Sequence, residues 1–407
     1  MKVVCYTSPS RGHLFPAVPV LLELRRRGHD VVVQTIGAEI SALHDLGLRA
    51  MPVSPAVEAI EMTDYQARGA QESIKRAVRV FVRRAAVDVP EVQRLIAEER
   101  PDLVLVDSNS WGATAVAEAS GLPWAILQHF PTPLPSIEVP PFGPGLRPMG
   151  GPLGRARNRL LSPLLLGALE RTLLPPLNGE VRTLAGVSPV RDAQDLYTRP
   201  PLTLYLTSTV FEYPRADWPA SFCFVGPLIW DPPSQPPGWL ASLRRPVALV
   251  TTSSEFQDDG ALVATALDGL RAEDLEVVAT MPAGVPTGLD LPPNGRIETY
   301  VPHSLVLPKA AVTITHGGMG TTQKSLAAGV PVVVIPWGRD QAEVGRRAEA
   351  TGAAVYLPKR KLSAETLRDS VRRARELRPA AQAVAEGMAA EGGAALAVDR
   401  LEALVAG

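Results

Sequence analysis

The stretch AVTITHGGMGTTQKSLAAGVPVVVIPWGRDQ, residues 311–341, contains two apolar runs separated by a glycine-rich turn and a helical segment. The order strand, turn, helix, strand is that of one unit of a parallel sheet. Gly317, Gly318 and Gly320 let the backbone turn sharply and let a ligand approach it closely. We therefore predict an α/β fold with a binding site at the end of the first strand, where His316 stands.

Polar residues also follow the second strand of this unit, where a loop ends in Asp340 and Gln341. Ligands of open parallel sheets bind outside the carboxyl ends of the strands. Thr321 lies at the start of the intervening helix, whose free N–H groups and positive dipole end favour an anion. We expect His316, Asp340 and Gln341 to face one site.

The composition is that of a soluble globular protein, with 407 residues, 46% apolar residues and a net charge of −1. This charge indicates neither a nucleic-acid partner nor a membrane surface. No apolar run is long enough for a membrane span, and the N-terminal run is too short for a signal peptide. We expect a cytoplasmic protein whose two cysteines are reduced. No Cys/His spacing typical of a metal site occurs, so no metal is predicted.

Strand and helix patterns alternate along the whole chain and predict two doubly wound, Rossmann-like domains. Residues 1–225 form the first domain, in which 69–99 is an amphipathic helix packed on the sheet. Residues 226–246 form a linker, since five of the first twelve are prolines. Residues 247–379 form the second domain, and 380–407 form a C-terminal helix that packs back on the first domain.

The least regular segment is 131–190, which is rich in Pro, Gly and Leu and holds one predicted helix at about residues 160–174. Two interpretations stay open, a wall of an apolar pocket and an ordinary insertion. The loop at 8–13 lacks the G-x-G-x-x-G pattern, which argues against a dinucleotide site in the first domain.

Several motifs together resemble the family 1 glycosyltransferases, in particular the bacterial enzymes that glycosylate antibiotics and other natural products. The sequences YVPH at 300–303 and HGGMGTTQKSLAAGVPVVVIPWGRDQ at 316–341 are similar to the nucleotide-sugar signature of that family. The loop ending in His13, the strand ending in Asp107 and VGP at 225–227 match as well. The resemblance implies two domains facing across a cleft (the GT-B type), with the donor on the C-terminal domain and the acceptor on the N-terminal one.

The resemblance also implies roles for individual residues. His13 matches the general base, and Asp107 matches the carboxylate that orients it. His316 matches a contact to the donor pyrophosphate, and Asp340 and Gln341 resemble the pair that hydrogen-bonds the sugar hydroxyls. The other donor-binding positions implied are Ser254, Val301, His303, Gly318, Gly320 and Thr321. Residues that would line the acceptor pocket are Trp111, His129, Phe130 and Phe142.

These residue types suit glycosyl transfer to a hydroxyl. Histidine has an unperturbed pKa of about 6.5 and can accept the acceptor proton near neutral pH. A carboxylate on its other nitrogen fixes the tautomer and stabilises the imidazolium. No D-x-D motif is present, and the adjacent Asp258 and Asp259 are predicted to cap a helix, so no metal cofactor is expected. Family precedent implies inversion at the anomeric carbon.

One departure from the family concerns the nucleotide. Many relatives carry a glutamate near the start of the motif helix that binds the ribose hydroxyls, and Lys324 stands there in this chain. Because lysine cannot accept a hydrogen bond, a dTDP-sugar is favoured over a UDP-sugar, and its hexose is expected to include deoxygenated forms. The composition of 131–175 predicts a bulky, apolar natural product as acceptor.

Three other functions compete with glycosyl transfer for this architecture: a nucleotide-sugar-binding auxiliary protein, a nucleotide-sugar epimerase and a nicotinamide-dependent oxidoreductase. The pairing of His13 with Asp107 argues against the first, and the lack of a glycine-rich fingerprint argues against the last. C- or N-glycosylation and a homodimeric state are left open.

Overall fold

The computed structural model describes residues 1–407 and contains two parallel sheets. The first has seven strands in the order β3-β2-β1-β4-β5-β6-β7, and the second has six in the order β10-β9-β8-β11-β12-β13. The strands are β1 Lys2–Tyr6, β2 Asp30–Thr35, β3 Arg49–Pro52, β4 Leu103–Asp107, β5 Trp124–Gln128, β6 Leu202–Tyr205, β7 Phe222–Phe224, β8 Val247–Thr251, β9 Glu276–Thr280, β10 Gly295–Glu298, β11 Ala310–Thr315, β12 Val332–Val334 and β13 Ala354–Tyr356. The predicted α/β fold class is confirmed.

Helices cover both faces of each sheet, which is why the central strands are apolar on both faces. The α-helices are α1 Arg11–Leu14, α2 Val18–Arg26, α3 Ile40–Asp45, α4 Pro55–Glu58, α5 Ala70–Glu99, α6 Trp111–Ala119, α7 Gly151–Pro176, α8 Thr183–Ala185, α9 Ala193–Thr198, α10 Gly238–Ser242, α11 Gly260–Gly269, α12 His303–Val306, α13 Met319–Ala327, α14 Gln341–Ala350, α15 Ala364–Glu376, α16 Arg378–Ala389 and α17 Gly393–Ala406. None of them is both long enough and apolar enough to cross a membrane.

The strand order reverses once in each sheet, between β1 and β4 in the first and between β8 and β11 in the second. Loops after two such strands leave the sheet towards opposite faces and open a crevice between them. His13 follows β1 and Asp107 ends β4, while Ser254 follows β8 and His316 follows β11. The fold therefore places the chemistry-bearing residues at the reversal points of both sheets.

The predicted C-terminal helix over 380–407 is wrong as a single element. It consists of α16 and α17, separated at Gly392 and Gly393, where Gly393 has a φ of +58° that favours glycine. Helix α16 packs on α13 of the second domain, whereas α17 packs on α2 and β6 of the first.

Three further local features differ from the prediction. Helix α7 begins nine residues before the predicted start at 160, because Pro152 in its first turn needs no N–H partner. His13 lies in the short helix α1 rather than in an open loop. Asp259 occupies the N-cap position of α11, as predicted. Its carboxylate, however, accepts the N–H of Ser253 over 2.7 Å and makes no hydrogen bond to the N–H groups of the helix.

Candidate active site

A single cavity of about 1330 Å³ is lined by residues from both halves of the chain. Most of the residues singled out in the sequence lie on its wall. They are His13, His129, Phe130, Phe142, Ser254, Val301, His303, His316, Gly318, Gly320, Thr321, Asp340 and Gln341. The tertiary structure thus gathers residues that are as many as 328 positions apart (341 − 13) around one space.

His13 and Asp107 form a hydrogen-bonded pair at the end of the first sheet. With the proton placed on Nδ1, His13 donates to Asp107 Oδ2 over 2.8 Å. Asp107 is fully buried, whereas the His13 side chain is 18% exposed on the cavity wall. The N–H of Ser8 also donates to Asp107 Oδ2, over 3.1 Å. This arrangement leaves Nε2 of His13 as the ring nitrogen available to a ligand.

The charges of this pair support each other. Burial alone would lower the pKa of His13, but the Asp107 carboxylate outweighs it and holds the pKa above its ordinary value. Burial would raise the pKa of Asp107, and the charge and hydrogen bond of His13 lower it below its usual range instead. Asp107 therefore stays ionised while His13 exchanges a proton, as a base and its orienting carboxylate require.

His129 lies beside this pair and shares its carboxylate. Its Nδ1 is 3.4 Å from Asp107 Oδ1, and its ring meets the His13 ring edge-on at a centroid distance of 4.4 Å. Burial and the charge of His13 lower the pKa of His129 to about 3, so this ring is neutral. One donor atom from each of the three side chains lies within 4.8 Å of the others, a set that could also hold a cation.

The second sheet contributes His316 and the start of α13. Nδ1 of His316 lies 3.5 Å from the carbonyl oxygen of Thr251, and burial lowers the pKa of this ring. A Cβ on Gly318 would stand 2.8 Å from Nε2 of His316, so only glycine lets the imidazole reach the helix N-terminus. A Cβ on Gly320 would meet nothing within 4 Å, which leaves the backbone of this turn open.

Asp340 and Gln341 behave differently, although both line the cavity. The carboxylate of Asp340 has no hydrogen bond to another residue, and burial raises its pKa against the opposing charges of Arg339 and His13. Gln341 is 2% exposed, and its amide oxygen accepts the N–H groups of Trp337 and Gly338. Asp340 is thus free to bind a ligand, whereas Gln341 mainly holds the loop in shape.

The remaining predicted donor residues lie along the same wall. Ser254 is exposed and forms no hydrogen bond through its side chain, and Val301 is buried. Nε2 of His303 is 3.1 Å from Oγ1 of Thr280, and burial lowers the pKa of this ring to about 4. Among the predicted donor side chains, Ser254 therefore offers a free hydroxyl.

Lys324 is paired with a residue of the linker. Its Nζ donates to Asp231 Oδ1 over 2.5 Å and to the carbonyl oxygen of Trp230 over 3.3 Å. The second oxygen of Asp231 accepts the N–H of Ser304 over 3.0 Å. Both oxygens of this carboxylate are thus engaged within the protein, and all of these groups except Ser304 line the cavity.

Trp111 does not line the cavity, so its assignment to the acceptor pocket is wrong. Its indole packs on Phe81 of α5 with a centroid distance of 5.1 Å, and it belongs to the core between α5 and α6. Phe81 lines the cavity instead.

Sequence reasoning missed the part of the wall that α5 provides and named none of the residues that α7 adds. These residues are Ile74, Ala77, Phe81, Arg84, Leu165, Ala168, Leu169 and Thr172. The apolar stripe of 69–99 was the available signal, but periodicity does not distinguish a stripe packed on a sheet from one that faces a cavity. Of the two interpretations left open for 131–190, the structure therefore favours a wall of the cavity.

Residues 264–404 match the family described as erythromycin biosynthesis protein CIII-like, C-terminal domain. The chain is 33% identical to 4'-demethylrebeccamycin synthase of Lentzea aerocolonigenes over an alignment of 421 positions, which covers 99% of each chain.

Solved structures show the same fold. The calicheamicin glycosyltransferase CalG4 matches with a TM-score of 0.72 at 21% identity, covering 100% of this chain and 98% of the other. The glycosyltransferase VinC in complex with dTDP matches with a TM-score of 0.71 at 23% identity, covering 100% and 99%.

Proposed function

The chain belongs to the bacterial natural-product glycosyltransferases of family 1, and on this premise we propose that it transfers a hexose from a dTDP-sugar to a hydroxyl of an apolar acceptor. The reaction proceeds with inversion and without a metal cofactor, in the biosynthesis of an antibiotic or related metabolite. One observation carries the proposal: His13, backed by Asp107, faces the same cavity as Asp340 and His316 of the other domain.

His13 acts as the general base in this mechanism. As the acceptor oxygen attacks the anomeric carbon, its proton passes to Nε2 of His13, and the Asp107 carboxylate stabilises the imidazolium. The new C–O bond forms while the bond from the anomeric carbon to the diphosphate oxygen breaks, and the electron pair leaves with the nucleoside diphosphate. One displacement of this kind inverts the configuration.

The N-terminus of α13 stabilises the leaving diphosphate. The first intrahelical bond runs from the N–H of Thr322 to the carbonyl oxygen of Gly318, so the preceding N–H groups have no acceptor within the helix. These groups, the helix dipole and His316 would offset the growing negative charge. Unchanged turnover in EDTA is expected, and a loss that divalent cations restore would contradict metal independence.

The Lys324–Asp231 pair supports a preference for dTDP over UDP. Lys324 has no acceptor to offer a ribose 2′-hydroxyl, and the oxygens of Asp231 already accept from Lys324 and Ser304. The structurally similar VinC was solved with dTDP. Calorimetry with dTDP and UDP tests this preference, and clearly tighter UDP binding would refute it. The double variant K324E/D231N, which places a carboxylate on α13, should shift the preference towards UDP.

The size and lining of the cavity support an apolar acceptor. Its volume of about 1330 Å³ exceeds the roughly 300–1,000 Å³ of a pocket for one small ligand, which leaves room for two substrates. Apolar side chains of α5 and α7 line the cavity together with His13. The acceptor thus meets apolar walls beside the base.

Incubation with a panel of nucleotide sugars and apolar phenols or polyketides, analysed by mass spectrometry, tests the whole proposal. A glycosylated acceptor is expected. Conversion of a sugar nucleotide without an acceptor would indicate an epimerase, and binding without any conversion would indicate an auxiliary protein.

A further inference from the structure

His129 is a buried histidine whose position the proposed mechanism does not yet explain. It directly follows β5, which pairs with β4 in the register Asp107 to Leu127. This register brings its ring next to the carboxylate that ends β4. The residue is only 9% exposed, yet its Nδ1 has no hydrogen-bond partner. A buried nitrogen without a partner is uncommon in folded proteins and calls for an explanation.

The unpartnered nitrogen lies near the catalytic carboxylate. Nδ1 of His129 lies 3.4 Å from Asp107 Oδ1, just beyond the usual N–H···O range, while His13 holds the other oxygen at 2.8 Å. Catalytic hydrogen bonds are often long in unliganded enzymes and tighten in the substrate complex. A small shift of either side chain would complete this one.

The ring of His129 also contacts the base directly. The centroids of the two imidazoles are 4.4 Å apart with an interplanar angle of 75°, an edge-to-face arrangement that limits rotation of the His13 ring. His129 thus touches both members of the pair.

We propose that His129 is a positioning residue for the base: its Nδ1–H donates to Asp107 Oδ1 in the reacting complex, and its ring orients the imidazole of His13. The carboxylate then serves two histidines, one on each oxygen. This inference rests on the proposed role of His13 in glycosyl transfer.

Neutrality of His129 is part of the arrangement, because a second cation would repel the imidazolium formed on His13. Its burial and the nearby His13 keep it neutral, so the acceptor proton stays on His13. The other ionisable groups close enough to act on His13 are Asp107, Arg84, Glu255 and Asp340. All of these remain in place when His129 alone is changed.

Two variants separate the hydrogen bond from ring packing. H129F keeps an aromatic ring without a donor, whereas H129N keeps a donor close to the Nδ1 position without the ring. In H129F, Asp107 loses a donor and its charge is less dispersed, so the pKa of His13 should rise. The ¹⁵N shifts of the imidazole in NMR titrations report this pKa with dTDP bound, a complex that has no sugar to transfer, and H13N assigns the signal. H129N should leave the pKa close to that of the unaltered protein.

Turnover provides the second readout. H129F should lower kcat by about tenfold, as expected for the loss of one hydrogen bond to a charged group, with an unchanged KM for the donor. The acid limb of its pH profile should move to higher pH. Should H129N fail to fold, H129Q supplies a donor in its place.

An unchanged His13 pKa and acid limb in folded H129F would overturn the proposal, because His129 would then be a packing residue only. Equal pKa shifts in H129F and H129N would overturn the role of the donor. The titration does not depend on turnover, whereas retained turnover in H13A would instead refute the proposed function.

Discussion

At the scale of single residues, the site rests on a contrast in exposure between a carboxylate and an imidazole. Asp107 is fully buried and accepts from His13 and from the N–H of Ser8, so it is held both in place and in the ionised form. His13 keeps one nitrogen on the cavity wall. A base of this kind can take a proton from a substrate on Nε2, and the Asp107 carboxylate at Nδ1 stabilises the resulting positive charge.

Replacing His13 by alanine should lower turnover by about 10²–10⁴-fold, the range typical of general base catalysis. Affinity for dTDP should be retained, since the donor wall belongs to the other domain. Initial rates and calorimetry measure the two quantities. H44A is the matched control, because His44 does not line the cavity and donates to the carbonyl oxygen of Ala50. Full turnover in H13A would refute the mechanism.

The pH dependence of kcat/KM should report the pKa of His13 in its pair with Asp107. The base works unprotonated, so kcat/KM should fall as pH drops through the pKa of His13, which Asp107 holds above its ordinary value. In D107N the negative charge that raises the pKa of His13 is lost, while the burial that lowers this pKa remains. The pKa of His13 should therefore fall, and the acid limb should move to lower pH. The maximal rate should fall by up to about 10⁴-fold, as for such substitutions in hydrolase triads. An acid limb that stays in place would contradict this assignment.

At the scale of elements, the N-terminus of α13 and the preceding turn form one candidate anion site. Gly317 has a φ of +100°, in the region that favours glycine. A Cβ on Gly318 would stand only 2.8 Å from Nε2 of His316, so the imidazole keeps this position because residue 318 is a glycine. The geometry of this turn therefore depends on glycine at positions 317 and 318 as much as on His316.

G318A should displace His316 and weaken dTDP binding by about tenfold or more, since a hydrogen bond to a charged group contributes about 1.5–3 kcal/mol. Calorimetry measures the loss. G179A is the control, because a Cβ at Gly179 meets nothing within 4 Å and the residue does not line the cavity. Equal affinities of both variants would show that His316 does not contact the diphosphate.

Helix α17 is part of the core of the first domain. Ala397, Val398 and Leu401 are buried in the cluster around β1 and α2, and Arg27 of the first domain bonds to Asp399 over 2.6 Å. A helix at the end of the chain thus completes the hydrophobic core at its beginning.

L401A should therefore destabilise the first domain by about 2–5 kcal/mol, as large-to-small changes in a core do. L184A, at a leucine that is 51% exposed, should change the unfolding free energy by less than about 0.5 kcal/mol. Urea unfolding followed by circular dichroism measures both. A small effect of L401A would show that α17 is dispensable for the first domain.

At the scale of the whole molecule, ion pairs from both domains bridge the cleft. Arg339, next to Asp340, donates to both oxygens of Asp64 at 2.9 and 3.0 Å and to Glu255 at 2.8 Å. Its φ of +53° is unusual for a residue other than glycine and costs about 1–2 kcal/mol, which these contacts offset. Glu343 of α14 also accepts the N–H groups of Gly143 and Gly145, each at 2.9 Å.

R339A should open the cleft and lower kcat/KM for the acceptor by at least about tenfold, because it leaves the buried Asp64 unpaired. Small-angle scattering should show a larger radius of gyration. R147A is the control: Arg147 also bridges the domains, to Glu349, but is 70% exposed, and such pairs contribute about 0–1 kcal/mol. The same loss in R147A would show that bridging charge as such, rather than Arg339, closes the cleft.

The fold class was predictable because buried strands and glycine-ended helices leave a local pattern. The α5 span was predicted within one residue, since its amphipathic period runs unbroken from Ala70 to Glu99. The pair Gly392 and Gly393 was a local signal for the break between α16 and α17, but no local pattern records which domain each of these helices packs against. The cytoplasmic location, the homodimer and the assigned site roles stay predictions.

The sequence by itself determined which residues are the candidates for the chemistry, since His13, Asp107, His316 and Asp340 stand at strand ends whose neighbours match a known motif. Only the tertiary structure decided what surrounds them. It removed Trp111 from the cavity, paired Lys324 with Asp231 and brought His129 against the catalytic carboxylate. The physical reason is that a local pattern records burial and turn geometry, whereas contacts between residues distant in sequence depend on sheet order and domain packing.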